Sequence, residues 1–339
     1  MTLRPLEGFK SLTTHHCVTG SMRHVYVYND HDISEEMLLG LGAGVGFIYW
    51  HQKGTPPFIG GRANARGEFE PLAGKRTGVK IEPHTTSSAR KAKRTLLEML
   101  DAGQPVMIQC DMGFLPYFDF GGYEYHFGAH VVVVCGYDVE TDQVLIADRD
   151  EELHPVSLED LEKARGSTFK PFPPRHKWYT FDFSGKRQPT ADEVRQAIAE
   201  QAQGMLEPPI SNFGVKGIRK AAKRVLKWPD QMDEEELRFT LFNTFIFIDA
   251  TGGTGGGIFR YMFSRFLREA AEITSNDRLI EVADEFQRIG DKWQVVAEIF
   301  KSTSEADDPT AELPEISTPL LELASLEEAA WSRLRDLVQ

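Results

Sequence analysis

The chain has 339 residues, of which 41% are hydrophobic and 26% are charged, proportions typical of a globular protein and not of a disordered one. The 38 basic and 51 acidic residues give a net charge of -13, which argues against a surface that neutralises a phosphate backbone, so nucleic acid is not an expected partner. No stretch approaches the roughly 20 apolar residues that cross a bilayer, so no membrane is expected.

The cysteines are Cys17, Cys110 and Cys135, an odd number without close spacing. This pattern excludes a disulfide framework and a paired-cysteine metal motif, and it fits a reducing compartment. The segment Met1–Glu7 is not followed by an apolar run of the kind found in a secretory leader. We therefore expect a cytoplasmic protein without a metal or resident cofactor.

The first half of the chain alternates predicted helices and short strands. Residues 18–28 and 35–41 read as helices, with Ser34 as the N-cap of the second. The glycines of 42–46 follow a helix, whereas a dinucleotide-binding loop follows a strand. We therefore interpret this run as a turn with close backbone packing.

A further helix is predicted over 87–102, followed by buried strands over 105–110, 130–134 and 144–148. The last two are separated by a short, turn-rich connection, which favours antiparallel pairing. The sequence thus predicts an α+β fold with an antiparallel central sheet.

The composition changes after this region. Residues 166–190 are rich in proline and read as a linker, ending in a strand, between a catalytic domain over 1–165 and a mostly helical domain over 191–339. An exposed connection is predicted over 302–314. The helices expected in the second domain are 191–206, 217–226, 234–247, 257–272, 277–300 and 321–337.

Cys17 is the candidate nucleophile. A helix N-terminus capped by Thr13 or Thr14, together with a nearby imidazole, would lower the pKa of its thiol. His130 opens one strand as the candidate base, and Asp148 closes the next strand as the acid that orients it. Each of the three could instead be an ordinary structural residue, as we expect for Cys110 and Cys135 in their apolar strands.

The role of the two histidines before Cys17 stays open. His15 or His16 could serve as the base, as an oxyanion donor or as a packed neighbour, and His16 is the predicted oxyanion or auxiliary residue. A metal site built from the histidines is the least favoured alternative, because their spacing fits no known ligand pattern; they are His15, His16, His126 and His130.

An aromatic, acidic segment precedes His130. Its carboxylates have the right sign for a polyamine or an amino sugar, and the alternative is a surface loop with buried aromatic rings. The candidate substrate-binding residues are Asp111, Tyr117, Glu124 and Tyr125.

Two further features have chemical possibilities. Gly255, Gly256 and Arg260 could bind a phosphopantetheine phosphate at a helix N-terminus, although a packing role for the glycine run 252–257 is favoured. The basic stretches 90–94 and 216–227 could dock an acidic carrier protein, and the alternative is a solvated helix face.

These motifs resemble those of the butirosin biosynthesis protein H family. The resemblance covers most of the chain and rests on the segments His16–Cys17, 33–49, 103–106, 130–136, 252–263 and 266–267. It implies a papain-like N-terminal domain with Cys17 as nucleophile, His130 as base and Asp148 as orienting acid. Ser11 stands six residues before Cys17, where papain-like peptidases commonly carry a glutamine oxyanion donor, so the oxyanion hole is left unassigned.

The resemblance also implies a reaction. The namesake of the family moves an acyl group from an acyl carrier protein thioester to an amine of an aminoglycoside through an acyl-cysteine. We therefore expect a small-molecule amine as acceptor and a phosphopantetheine-bound thioester as a possible donor. The protein could also form a homo-oligomer. A cysteine peptidase or amidase, and a non-catalytic binding protein on the same fold, remain alternatives.

Overall fold

The computed structural model describes residues 3–52, 55–62, 69–122 and 124–338. The helices are α1 (Cys17–Tyr28), α2 (Glu35–Leu41), α3 (Phe69–Arg76), α4 (Ala89–Asp101), α5 (Leu158–Gly166), α6 (Ala191–Leu206), α7 (Gly214–Val225), α8 (Glu234–Ile248), α9 (Arg260–Thr274), α10 (Arg278–Glu305) and α11 (Pro309–Val338). The strands are β1 (Ile48–Trp50), β2 (Phe58–Gly60), β3 (Lys80–His84), β4 (Val106–Cys110), β5 (His130–Asp138), β6 (Gln143–Ala147), β7 (Leu153–Ser157) and β8 (Trp178–Asp182).

These elements confirm the predicted fold class, an α+β protein with antiparallel sheets and a mostly helical C-terminal part. The papain-like architecture stays a prediction. The chain forms two compact units, one from the residues up to Leu38 plus Thr77–Gln188, and the other from Leu39–Arg76 plus the residues from Pro189 onward. The predicted domain boundaries, after residues 165 and 190, also stay predictions.

The first unit is organised around an antiparallel sheet with the strand order β3-β8-β4-β5-β6-β7. Strand β5 lies at the centre of this sheet. Its run of valines is buried, as expected for a strand that is covered on both faces. It pairs with β6, as predicted, in a register that places Val133 opposite Ala147. His130 at the start of β5 and Asp148 just after β6 therefore lie at the same edge of the sheet.

Helix α1 packs on this sheet. Met22, Val25 and Tyr26 are buried, and the Ser21 hydroxyl donates to the Val131 carbonyl at 3.1 Å. The strand predicted at the end of the proline-rich segment is β8, which pairs with β3 along its whole length.

The second unit contains the β1–β2 ribbon and the C-terminal helices. The predicted close packing of the glycine turn after α2 is confirmed, because a Cβ atom on Gly42 would collide with the Phe69 ring. The exposed connection predicted over 302–314 is wrong, since α10 continues to Glu305 and α11 begins at Pro309. Leu313, Ile316 and Leu320 bury an apolar face at helical spacing, which outweighs the loss of backbone hydrogen bonds at the prolines inside α11.

None of the helices within the described ranges is both long enough and apolar enough to cross a membrane.

Candidate active site

Cys17 is the first residue of α1 and is half-buried. The predicted caps Thr13 and Thr14 are wrong, because His16 is the N-cap: its backbone is extended and its Nδ1 accepts a hydrogen bond from the Thr19 amide at 3.3 Å. Imidazole can fill the place usually taken by a hydroxyl or carboxylate because Nδ1 also reaches the amide two or three residues ahead. The cap therefore fixes the His16 ring beside Cys17.

Glu35 holds this turn from the other side. Its carboxylate is buried and accepts the backbone N–H groups of His15 at 2.9 Å and His16 at 2.8 Å. The Thr19 hydroxyl donates to the same carboxylate at 2.8 Å and lies 3.1 Å from His16 Nδ1. The sequence indicated Glu35 only as an acidic residue in the first turn of α2, and no local motif connects it with Cys17.

His130 and Asp148 form a buried pair. His130 Nε2 lies 2.7 Å from Asp148 Oδ2, and each residue is at most 5% exposed. Because Nε2 is bound to the carboxylate, Nδ1 is the ring nitrogen left for Cys17, and a hydrogen bond with His130 is among the causes that lower the pKa of the Cys17 thiol. The structure thus brings together the three residues predicted as nucleophile, base and orienting acid.

The electrostatics of the site favour a thiolate–imidazolium pair. Burial opposes the charged thiolate, but the charges and hydrogen bonds of His16 and His130 hold the pKa of Cys17 well below its usual value. Burial likewise opposes protonation of His130, yet Asp148 and then Cys17 raise its pKa to about 9. The pKa of Asp148 is lowered: burial works against this, and the charge of His130 outweighs it.

Tyr117 orients Asp148. Its hydroxyl donates to Asp148 Oδ2 at 3.0 Å, and its ring stacks on His154 with the ring centres 4.1 Å apart. Burial and the neighbouring Asp148 charge raise the pKa of Tyr117, so the phenol stays a donor. The sequence predicted Tyr117 as a substrate-binding residue, whereas its hydroxyl contacts the carboxylate behind His130.

The carboxylate of Asp111 is hydrogen-bonded within the protein. Its carboxylate is fully buried and accepts the amides of Gly113 and Phe127, each at 3.0 Å. It also binds the Ser167 hydroxyl at 2.6 Å and lies 3.0 Å from His126 Nδ1. These contacts occupy both oxygens, so the predicted contact with a substrate is not supported, and Asp111 instead organises the loop before β5.

The other two predicted binding residues are differently placed. The Glu124 side chain is 81% exposed, with one oxygen 3.3 Å from His126 Nε2. Tyr125 is half-buried against Phe120, with ring centres 5.0 Å apart. Phe120 in turn stacks on Phe118, whose ring meets His130 edge-on at 5.4 Å. A row of aromatic rings therefore leads to the imidazole and covers that side of it.

The second unit contains the predicted phosphate-binding residues, and groups of Arg260 and Gly256 are engaged within the protein. Arg260 is fully buried, and its Nε pairs with Glu327 at 2.8 Å while Nη1 donates to the carbonyls of Gly46 and Ile258. The Gly256 amide donates to the Thr254 hydroxyl at 3.1 Å.

These contacts do not support the predicted phosphate site at Gly255, Gly256 and Arg260. Helix α9 begins at Arg260, and the residues before it, Ile258 and Phe259, have left-handed backbone. The preceding turn therefore does not present a row of helical amides. A Cβ atom on Gly257 would lie 2.7 Å from Gly290 Cα, which supports the favoured packing role.

The remaining cysteines behave as predicted. Cys110 and Cys135 are fully buried in β4 and β5, and burial is the main cause of the raised pKa of each thiol. Ser11, which stands where a glutamine would be expected, donates to the Asp150 carbonyl at 2.7 Å. Within the ranges that the structure describes, no three His, Cys, Asp or Glu side chains are grouped as ligands of a metal ion.

The candidate site thus contains a thiol with a lowered pKa and, next to it, an imidazole that is bound to a carboxylate. Residues 16–149 match the family model described as butirosin biosynthesis protein H, N-terminal, and residues 159–334 match a domain of unknown function, DUF4872. The N-terminal part of the chain therefore belongs to the butirosin biosynthesis protein H N-terminal family, and DUF4872 forms the C-terminal part. The family name points to a biosynthetic enzyme. No curated protein matches the chain significantly.

Proposed function

We propose that this protein is a cysteine-dependent acyltransferase, which moves an acyl group from a thioester to an amine of a small molecule. The observation that carries the proposal is the contact of Cys17 with His130, which Asp148 binds from behind at 2.7 Å. The low pKa of Cys17 supports it further, because a thiolate at neutral pH attacks a thioester without a separate deprotonation step.

The first half-reaction forms an acyl-enzyme. Cys17 Sγ attacks the thioester carbon, a new C–S bond forms, and the carbonyl oxygen becomes an oxyanion. When this intermediate collapses, the donor C–S bond breaks and the His130 imidazolium gives its proton to the departing thiol. The products are acyl-Cys17, neutral His130 and the free thiol of an acyl carrier protein or a related pantetheine.

The second half-reaction transfers the acyl group. The amine nitrogen attacks acyl-Cys17 while neutral His130 removes one of its protons, and the intermediate then expels the Cys17 thiolate. The thiolate and imidazolium are regenerated, and the amide is released. The Phe118 ring beside His130, with Phe120 stacked on it, supports transfer to an amine over hydrolysis, because it keeps water from that side of the imidazole.

We assign the stabilisation of the oxyanion to hydrogen-bond donors at the N-terminus of α1. The Cys17 amide lies in the first turn, where helical N–H groups lack intrahelical acceptors. His16 is the N-cap of α1, and its imidazole is among the groups that lower the pKa of the Cys17 thiol. His16 would therefore stabilise the thiolate in the resting enzyme and the oxyanion during attack.

The test is product analysis. The protein is incubated with acyl-pantetheine thioesters and a panel of polyamines and amino sugars, and amides are detected by liquid chromatography with mass spectrometry. We expect amide formation by the native protein and by Cys110→Ala, and none by Cys17→Ala. Release of free acid alone would indicate a hydrolase, and amide formation by Cys17→Ala would overturn the mechanism.

A further inference from the structure

A small cavity in the second unit lies where β1 meets α7. Its volume is about 130 Å³, and its lining consists of Tyr49, His51, Asn212, Lys220 and Arg224. The Tyr49 amide in β1 donates to the carbonyl of Asn212, which lies two residues before α7, at 2.8 Å. The lining side chains are a phenol, an imidazole, an amide, an ammonium and a guanidinium, so hydrogen-bond donors predominate and no carboxylate is among them.

Asn212 holds one of the cations in place. Its Oδ1 accepts a hydrogen bond from Lys220 Nζ at 2.6 Å, while its Nδ2 donates to the Tyr49 carbonyl at 2.9 Å. The amide is thus anchored to the strand and fixes the Lys220 ammonium at the cavity. Such prior ordering reduces the entropy that an ion pair with a ligand would cost.

Tyr49 supplies a buried donor. It is 2% exposed, and its hydroxyl oxygen accepts a hydrogen bond from Trp228 Nε1 at 3.2 Å. Because that bond uses a lone pair, the phenolic proton remains to be donated to an acceptor in the cavity that it lines. Burial raises the pKa of Tyr49, so the phenol keeps this proton near neutral pH.

The two cations repel one another. Lys220 and Arg224 are four residues apart on α7 and so lie on the same face, where like charges destabilise a helix. Among the residues that the structure describes, no carboxylate forms an ion pair with either of them. An anion in the cavity would neutralise both charges and accept a hydrogen bond from the Tyr49 hydroxyl.

We propose that this cavity binds a phosphate group, either as the free ion or as a monoester. A water molecule takes up about 30 Å³ in the liquid, so the cavity has room for a tetrahedral oxyanion of a few heavy atoms. It is smaller than the roughly 300 Å³ of a site for a whole drug-sized ligand. Two cations and several neutral donors around one point suit the oxygens of a phosphate dianion better than a single carboxylate. The proposal does not depend on the function of Cys17.

The test is isothermal titration calorimetry of the full chain with inorganic phosphate, at constant ionic strength. We expect millimolar binding by the native protein, weakened about tenfold or more by Arg224→Gln and about threefold by Tyr49→Phe, which removes only the hydroxyl. Lys223→Gln is the matched control, because it removes the same charge from the adjacent exposed position and does not line the cavity.

Binding that falls equally in Arg224→Gln and Lys223→Gln, or no binding to the native protein, would overturn the site. Arg224 is exposed, so its substitution leaves the core intact even if Tyr49→Phe were to destabilise the fold. A parallel titration with glycerol 3-phosphate identifies the source: tighter binding of the ester than of inorganic phosphate assigns a monoester, and the reverse order assigns the free anion.

Discussion

Asp148→Asn tests the electrostatic basis of the site. Asp148 is a main cause of the rise in the pKa of His130 from 6.5 to about 9, a change worth about 3 kcal/mol that Asp148 shares with Cys17. Asparagine removes the charge and nearly keeps the shape. With that charge removed, burial lowers the pKa of His130 and only Cys17 still raises it, so we expect the pKa to fall below 9 and less of the imidazole to be protonated at pH 7.5.

Loss of the imidazolium also removes support for the thiolate. We expect the pKa of Cys17 to rise, so that its alkylation by iodoacetamide begins at a higher pH than in the native protein. The assay follows the modified Cys17 peptide by mass spectrometry from pH 4 to 10. In the native protein the rate rises as pH passes the lowered pKa of Cys17, and the variant shifts that rise to higher pH.

The controls come from the same chain. Cys110 and Cys135 are buried with raised pKa values and should stay unmodified in both proteins. Asp150→Asn makes the same charge change two residues away, where the carboxylate contacts His154. It should leave the alkylation profile unchanged. An Asp148→Asn profile identical to that of the native protein would refute the reasoning.

Three other substitutions test separate parts of the account. Tyr117→Phe removes one hydrogen bond to Asp148, so we expect kcat to fall about three- to tenfold with little change in KM. Both constants are measured with a thioester and an amine. A change in KM alone would favour direct contact between Tyr117 and the substrate. Glu35→Gln weakens the hydrogen bonds that the carboxylate accepts from the His15 and His16 amides. We expect kcat/KM to fall about tenfold and the pH dependence of Cys17 alkylation to change. Loss of thermal stability alone would make Glu35 purely structural. Arg260→Met leaves Glu327 buried without its cation, so urea unfolding should show a loss of about 3–5 kcal/mol, and an unchanged midpoint would contradict this.

The sequence predicted the sheet and the proximity of His130 and Asp148 where local patterns were strong. The buried valines of β5 and the run that forms β6 have the length and composition of strands, and their pairing placed His130 beside Asp148. The turn at Gly42 followed from its position after a helix.

Other features depend on contacts that are distant in sequence. Glu35 binds the amides before Cys17 from 19 or 20 residues away, and Asp111 is enclosed by Phe127 and Ser167. A carboxylate in a polar segment looks the same in sequence whether it is buried or free. Arg260 likewise has the composition of an anion site, but Glu327, 67 residues later, already neutralises it.

The most direct test of the account is a single-turnover experiment on Cys17. The native protein is mixed with one equivalent of an acyl-pantetheine thioester, quenched and analysed by intact-mass and peptide mass spectrometry. The isolated adduct is then mixed with increasing concentrations of an amine that supports turnover.

We predict a mass increase of one acyl group on the Cys17 peptide, and a loss of that adduct whose rate rises with amine concentration and equals the rate of amide formation. An adduct that decays at the same rate with and without amine, giving only free acid, would contradict transfer. The absence of any adduct on Cys17 while amide still forms would contradict its role as the nucleophile.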